Sequence, residues 1–176
     1  LGVTDDLGHQ SCRKARLELD VAPRADVYAT LTWQTPGDTD PDDGLGSDLD
    51  LHVRNDTGSW NQPPGDCFWA NPSPDWGPSG PRGNPEFLQD VVNGQGPERI
   101  EIARPQPDAA YTFGVDYFSA FNLGKSHATL RVWVDGQLAR DTQRRNLQPG
   151  EFWSASRLEW PSGTFTPIQT VTQGFP

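Results

Sequence analysis

The sequence has no methionine, only two cysteines, few cations and no long apolar run. Each shortage excludes something. A transmembrane helix needs roughly 18 consecutive apolar residues, and no charged-then-apolar leader opens the chain, so no membrane insertion is expected. Lysine plus arginine is 14 against 24 aspartates and glutamates, a net charge of −10. Such a balance repels phosphate backbones and anionic lipid. The one short basic cluster, Arg140 to Arg145, reads as a solvated turn, so nucleic acid is not an expected partner. The lack of methionine even at position 1 reads as a chain processed or excised from something longer.

Cys12 and Cys67 lie far apart and show no C-x-x-C spacing, which argues against redox or zinc chemistry. An even count in an acidic chain with 18 glycines and 17 prolines suggests one Cys12–Cys67 disulfide and an oxidising, extracytoplasmic compartment. Two unrelated buried thiols are the alternative.

Helical periodicity is missing too, and strand alternation takes its place. Lys14 to Val21, Asp26 to Trp33, Asp48 to Arg54, Cys67 to Ala70, Arg99 to Ala103, Tyr111 to Phe118 and Glu151 to Trp160 read as strands. "HATLRVWVDGQLARDT" reads as a hairpin turning at Asp135-Gly136. The expected fold is a single antiparallel β-sandwich, jelly-roll or Ig-like, of about nine strands, with long acidic loops at one end. It spans residues 1–163; residues 164–176 are a tail or a last edge strand.

Two stretches, Thr35 to Ser47 and Asn71 to Asp90, are expected to be irregular. Connections longer than about 12 residues are uncommon unless functional or held by something. The first runs into Asp48, and six aspartates fall between Asp38 and Asp50 with no lysine or arginine among them. Crowded carboxylates repel one another, and calcium, which takes six to eight oxygen ligands in a flexible geometry, relieves that repulsion. Asp38-x-Asp40-x-Asp42 imitates the start of an EF-hand loop. However, its glycine comes one place late, Pro41 stiffens the middle and Leu49 stands where the twelfth-position glutamate belongs, so the EF-hand itself is rejected. Loops at one end of a sandwich cluster. Asp48, Asp50, Asn71, Asp75, Asp90, Asn93 and Glu98 are therefore expected to converge on one or two Ca2+ ions, with Asp38 and Asp40 as further candidates. A solvated acid loop is the alternative.

"SDLDLHV", "DCFWANPSPDWG", "GQGPERIEI", "YTFGVDYF" and "EFWSASRLEWPSG", in that order, resemble secreted bacterial domains of unknown function related to the YfaP-like proteins. The resemblance runs from about Cys12 to Gly163. It implies an extracytoplasmic β-sandwich on surface or secreted proteins, a suspected calcium site and no established catalysis. On that pattern Asp48, Asp50, Asp75, Asp90 and Glu98 carry over as ligands. Two departures stand out: Val91-Val92-Asn93 replaces a more acidic segment, and Asp116 replaces a usual histidine.

Trp60, Trp69 and Trp76 lie in the irregular middle segment, where indoles stack on sugars, anchor a protein partner, or form a private core. Asp48 and Asp50 have a spacing that suits glycoside hydrolysis, but any D-x-D strand gives it. His9, His52 and His127 are scattered, and no serine sits in a nucleophile motif. The sequence thus points to a non-catalytic calcium-binding module in adhesion, with a surface glycan, a protein or copies of itself as partner. A structural subunit of a surface layer or filament comes next, and a carbohydrate-active enzyme last.

Overall fold

The computed structural model describes residues 24–40, 43–77 and 80–176. Among these residues, ten strands form two five-stranded antiparallel sheets, the expected β-sandwich. The strands are β1 (Val27–Gln34), β2 (Asp48–Asn55), β3 (Asp66–Cys67), β4 (Pro85–Gln89), β5 (Glu98–Ile102), β6 (Ala110–Ser119), β7 (Ser126–Val134), β8 (Gln137–Leu147), β9 (Glu151–Glu159) and β10 (Thr164–Gln173). One sheet has the order β4-β5-β1-β7-β8 and the other β10-β9-β6-β2-β3. A single 3-10 turn, Pro81–Gly83, is the only helical segment among the described residues.

Period-two patterning explains the core. Val27, Ala29, Leu31 and Trp33 of β1, Leu49, Leu51 and Val53 of β2, and Phe113, Val115 and Tyr117 of β6 all point between the sheets, buried. Asp135-Gly136 joins β7 to β8, both residues at positive φ, as the tight hairpin requires.

The structure departs from the sequence reading in three places. The Asn71 to Asp90 stretch is not irregular throughout, because Pro85–Gln89 pairs with β5 as an edge strand. Its proline and glutamate hid it, since edge strands tolerate both. The strand expected from Cys67 to Ala70 shrinks to Asp66–Cys67 plus one bridge, Phe68 to Asn71. Arg140 to Arg145, read as a solvated turn, lies within β8. Residues 164–176, expected as a tail or a last edge strand, include Thr164–Gln173, which pairs with β9 at the sheet edge. The strand expected over Lys14 to Val21 lies outside the described residues.

The outer face of the second sheet is not open to water. His52 stacks on Phe68 (centroids 4.9 Å apart) and touches the edges of Trp60, Phe152 and Phe175, so this face carries a second small core. Gly114, beside His52 on β6, makes it possible: a Cβ there would collide with the Phe152 ring and press on Trp60. We expect Gly114→Ala to cost about 1–3 kcal/mol, as overpacking a tight core does. Urea denaturation would show this as a lower midpoint at an unchanged slope.

Candidate metal centre

Alternation along β2 sends Leu49, Leu51 and Val53 inward and leaves Asp48, Asp50 and His52 on the opposite face. That face is nevertheless buried, with Asp48 7%, Asp50 3% and His52 1% exposed. β3 pairs only with Val53 and Arg54, so the first half of β2 has an unpaired edge. Glu98, the first residue of β5, caps it: its Oε2 accepts from Leu51 N–H at 2.6 Å, and its Oε1 accepts from Val91 N–H at 3.2 Å.

This brings a third carboxylate to β2. Asp50, Asp90 and Glu98 each place an oxygen within 4.8 Å of the others. Asp116 lies opposite Asp50 on β6. Asp48 belongs to the same cluster, since Asp90 and Asp116 act on it electrostatically. Its Oδ1 is buried and has no hydrogen-bond partner among the described residues.

Burial pushes the Asp50 carboxyl up to about 8, helped by Asp48, Asp116 and Asp90. Burial first, and then Asp50, pushes Glu98 up to about 10, against its two backbone hydrogen bonds. Burial, with Asp90 and Asp116, raises Asp48 to about 6. Asp116 is raised by burial and lowered by His52. No ion pair among the described residues involves these carboxylates. As free anions they destabilise the fold, and a proton or a cation relieves them.

Two loops meet above the cluster. Asn93 donates its side-chain N–H to the Gly44 carbonyl at 2.7 Å, and a Cβ on Gly46 would collide with the Gly94 nitrogen. The loops β1–β2 and β4–β5 therefore touch backbone to backbone. Asn93 serves here as a clamp between loops.

The structure does not gather the other expected ligands. Asp38 and Asp40 line a separate groove with Phe121 and Leu123, and Asp38 Oδ1 accepts from Asp40 N–H. Asn71 and Asp75 lie toward the opposite end of the sheet. The reason is register: β3, from which their loop departs, pairs at the far end of β2. Asn71 donates to the Asp66 carbonyl, and Asp75 accepts from Gly77 N–H and Asn84. Trp76, next in sequence, stacks on Tyr111, whose partner on β2 is Asn55.

The three tryptophans also separate. Trp60 is buried (6% exposed) against Phe152 and beneath the Arg54 guanidinium. Trp76 is half-buried and donates Nε1–H to the Pro64 carbonyl. Trp69 alone stays open, 46% exposed, with its ring 6.5 Å from that of Phe118. Cys67 is a buried free thiol beside the Pro72 carbonyl, its proton held by burial. Its expected partner Cys12 lies outside the described residues.

Sequence reasoning missed Asp66, a fully buried carboxylate that hydrogen-bonds His52 Nδ1 at 2.7 Å and accepts from Asn61 N–H. An isolated acid in a Gly/Pro-rich stretch carries no pattern that would mark it. His52 is thus a partnered core residue on this face.

No family model matches the chain, and no curated protein matches it. Among solved structures, the crystal structure of SAV2460, a protein of unknown function, is similar, with a TM-score of 0.52 at 13% identity over 83% of this chain and 88% of that one. At that identity the likeness concerns the fold alone.

Proposed function

We propose that the chain is a non-catalytic, extracytoplasmic module that binds Ca2+ through Asp48, Asp50, Asp90 and Glu98, with Asp116 beside them. The metal fixes the loops that present a binding surface within a larger surface or secreted protein. The observation that carries this reading is the buried, unpartnered Oδ1 of Asp48 beside a close carboxylate trio. Such a set is all hard oxygen, which suits calcium better than softer metals. The YfaP-like resemblance supports the extracytoplasmic placement. The exposed Trp69–Phe118 pair offers a stacking surface for a surface glycan. Hydrolysis of sugars has less support, because Asp50 and Glu98 are 3% and 0% exposed and a polysaccharide has no access to them.

A second reading, a subunit of a surface layer or filament, rests on β10. Its ten residues, TFTPIQTVTQ, carry no charge and form a sheet edge. A charge-free edge pairs with a neighbouring chain, here beyond Pro167 and the irregularity that follows it.

Thermal unfolding in EDTA, in millimolar calcium and in millimolar magnesium tests the calcium reading. A ligand at about 100 times its dissociation constant adds about 2.7 kcal/mol, which for a domain of this size is roughly 5–10 °C. We expect that rise with calcium and little with magnesium. No rise with calcium would overturn the reading.

A further inference from the structure

Beside the carboxylate cluster, the β1–β2 and β6–β7 loops enclose a groove between Asp38, Asp40 and Asp43 on one side and Leu45, Phe121 and Leu123 on the other. The two loops are locked together, since a Cβ on Gly37 would collide with the Leu123 carbonyl oxygen. The groove is therefore preformed.

Its apolar side is open. Leu45 is 63% and Phe121 58% exposed. Phe121 sits at φ 45° and Asn122 at φ 67°, in a turn closed by Leu123 N–H to the Ala120 carbonyl. A bulky aromatic residue rarely adopts that left-handed conformation, and here it holds an apolar ring in water.

Its polar side is anionic and ordered. Asp38 Oδ1 accepts from Asp40 N–H, and Asp43 Oδ1 accepts from Leu45 N–H. Among the described residues, Oδ2 of each accepts no hydrogen bond. No lysine or arginine occurs between residues 25 and 53, and Lys125, at the end of the β6–β7 loop, does not line the groove.

This pairing of surfaces selects its occupant. Phosphates and anionic lipid are repelled, and a neutral sugar, whatever it gains by stacking on Phe121, leaves the charge of Asp38 and Asp43 unanswered. A lysine or arginine side chain satisfies both sides, because its alkyl stem packs on apolar surface while its head stays polar, and an aromatic ring attracts the cation. We propose that the groove receives a lysine- or arginine-bearing segment of a partner polypeptide, its stem on Leu45, Phe121 and Leu123 and its cationic head on Asp38 and Asp43. This inference rests on the binding-module reading and names its ligand class; it does not depend on where calcium binds.

Fluorescence anisotropy of the full chain in millimolar calcium tests it. The probe is a fluorescein-labelled Gly/Ser peptide with a central Leu-Arg-Leu-Arg segment, and the control is the same peptide with citrulline for arginine. We expect the arginine peptide to bind at least about tenfold more tightly, and Phe121→Ser and the double variant D38N/D43N each to lose about tenfold. Asparagine preserves the two turn-forming acceptors. The variant D108N/D135N removes equal charge from two exposed positions whose left-handed φ suits asparagine; it should bind within about twofold of the parent. Equal binding of the citrulline peptide, an equal loss in D108N/D135N, or binding of phosphatidylserine vesicles through Phe121 instead of peptide would each overturn the proposal. The calcium shift in unfolding temperature, read on the same variants, keeps the two readings apart. Peptide binding without a calcium shift sinks only the metal site, and a calcium shift without peptide binding sinks only the groove.

Discussion

In EDTA the protein is expected to unfold at a higher temperature at pH 5 than at pH 8, and millimolar calcium is expected to remove the difference. Asp48, Asp50 and Glu98 have folded pKa values of about 6, 8 and 10, all raised from ordinary carboxyl values of 3.8, 3.8 and 4.5. Between roughly pH 4 and pH 8 the folded chain therefore holds protons that the unfolded chain has released. Where the folded state binds more protons, stability falls as pH rises. Most proteins gain stability over the lower part of this range, as carboxylates in ion pairs ionise, so the inverted slope marks this cluster. Calcium displaces those protons, and folded and unfolded carboxylates then carry the same charge across the window. The calcium-induced rise is accordingly larger at pH 8 than at pH 5. Thermal melts at the two pH values, with and without the ion, check both statements.

Asp50→Asn is expected to act in opposite directions with and without the metal. Asp50 is 3% exposed, sits opposite Asp116 and shares its space with Asp90 and Glu98. In EDTA at pH 8, replacing its carboxylate with an amide relieves like-charge repulsion in a buried site. A gain of about 1 kcal/mol, or roughly 2–4 °C, is expected. In millimolar calcium the variant loses a charged ligand, and the rise of roughly 5–10 °C shown by the parent disappears. The variant is thus more stable than the parent in EDTA and less stable in calcium. Asp43→Asn, which changes an exposed aspartate of the same loop, should alter neither melt. A variant that behaves alike in both buffers would mean Asp50 is only a buried polar residue.

What the sequence disclosed follows from what leaves a local trace. Alternation at "SDLDLHV" and "YTFGVDYF" marked β2 and β6 and told inward from outward positions, because side-chain direction in a strand depends only on parity. Asp135-Gly136 marked its hairpin by the φ values it needs. Register left no such trace. Asp90 and Glu98 reach Asp50 because β3 leaves the first half of β2 unpaired and Glu98 turns to its free N–H. Asn71 and Asp75, equally rich in oxygen and equally close to a strand in sequence, end up far from it for the same reason. For Trp60 and Trp76 the aliphatic-poor segment left a stacking surface, a partner anchor and a private core all open. The structure makes Trp60 part of the cover of a sheet face that hydrophobic patterning, with Asp48, Asp50 and His52 in step, labels as polar, and it packs Trp76 on Tyr111 at the edge of the main core. Asp66 and Gly114 have meaning only through what packs on them, and no spacing rule reaches that.

The most direct test of the central claim is isothermal titration calorimetry of calcium into the full chain at pH 8, with Asp50→Asn as control. The account predicts saturable heat with defined stoichiometry for the parent, none for the variant, and little response to magnesium. Heat that does not saturate, or that survives Asp50→Asn unchanged, would contradict it and leave the aspartates as a buried acidic cluster relieved by protons alone.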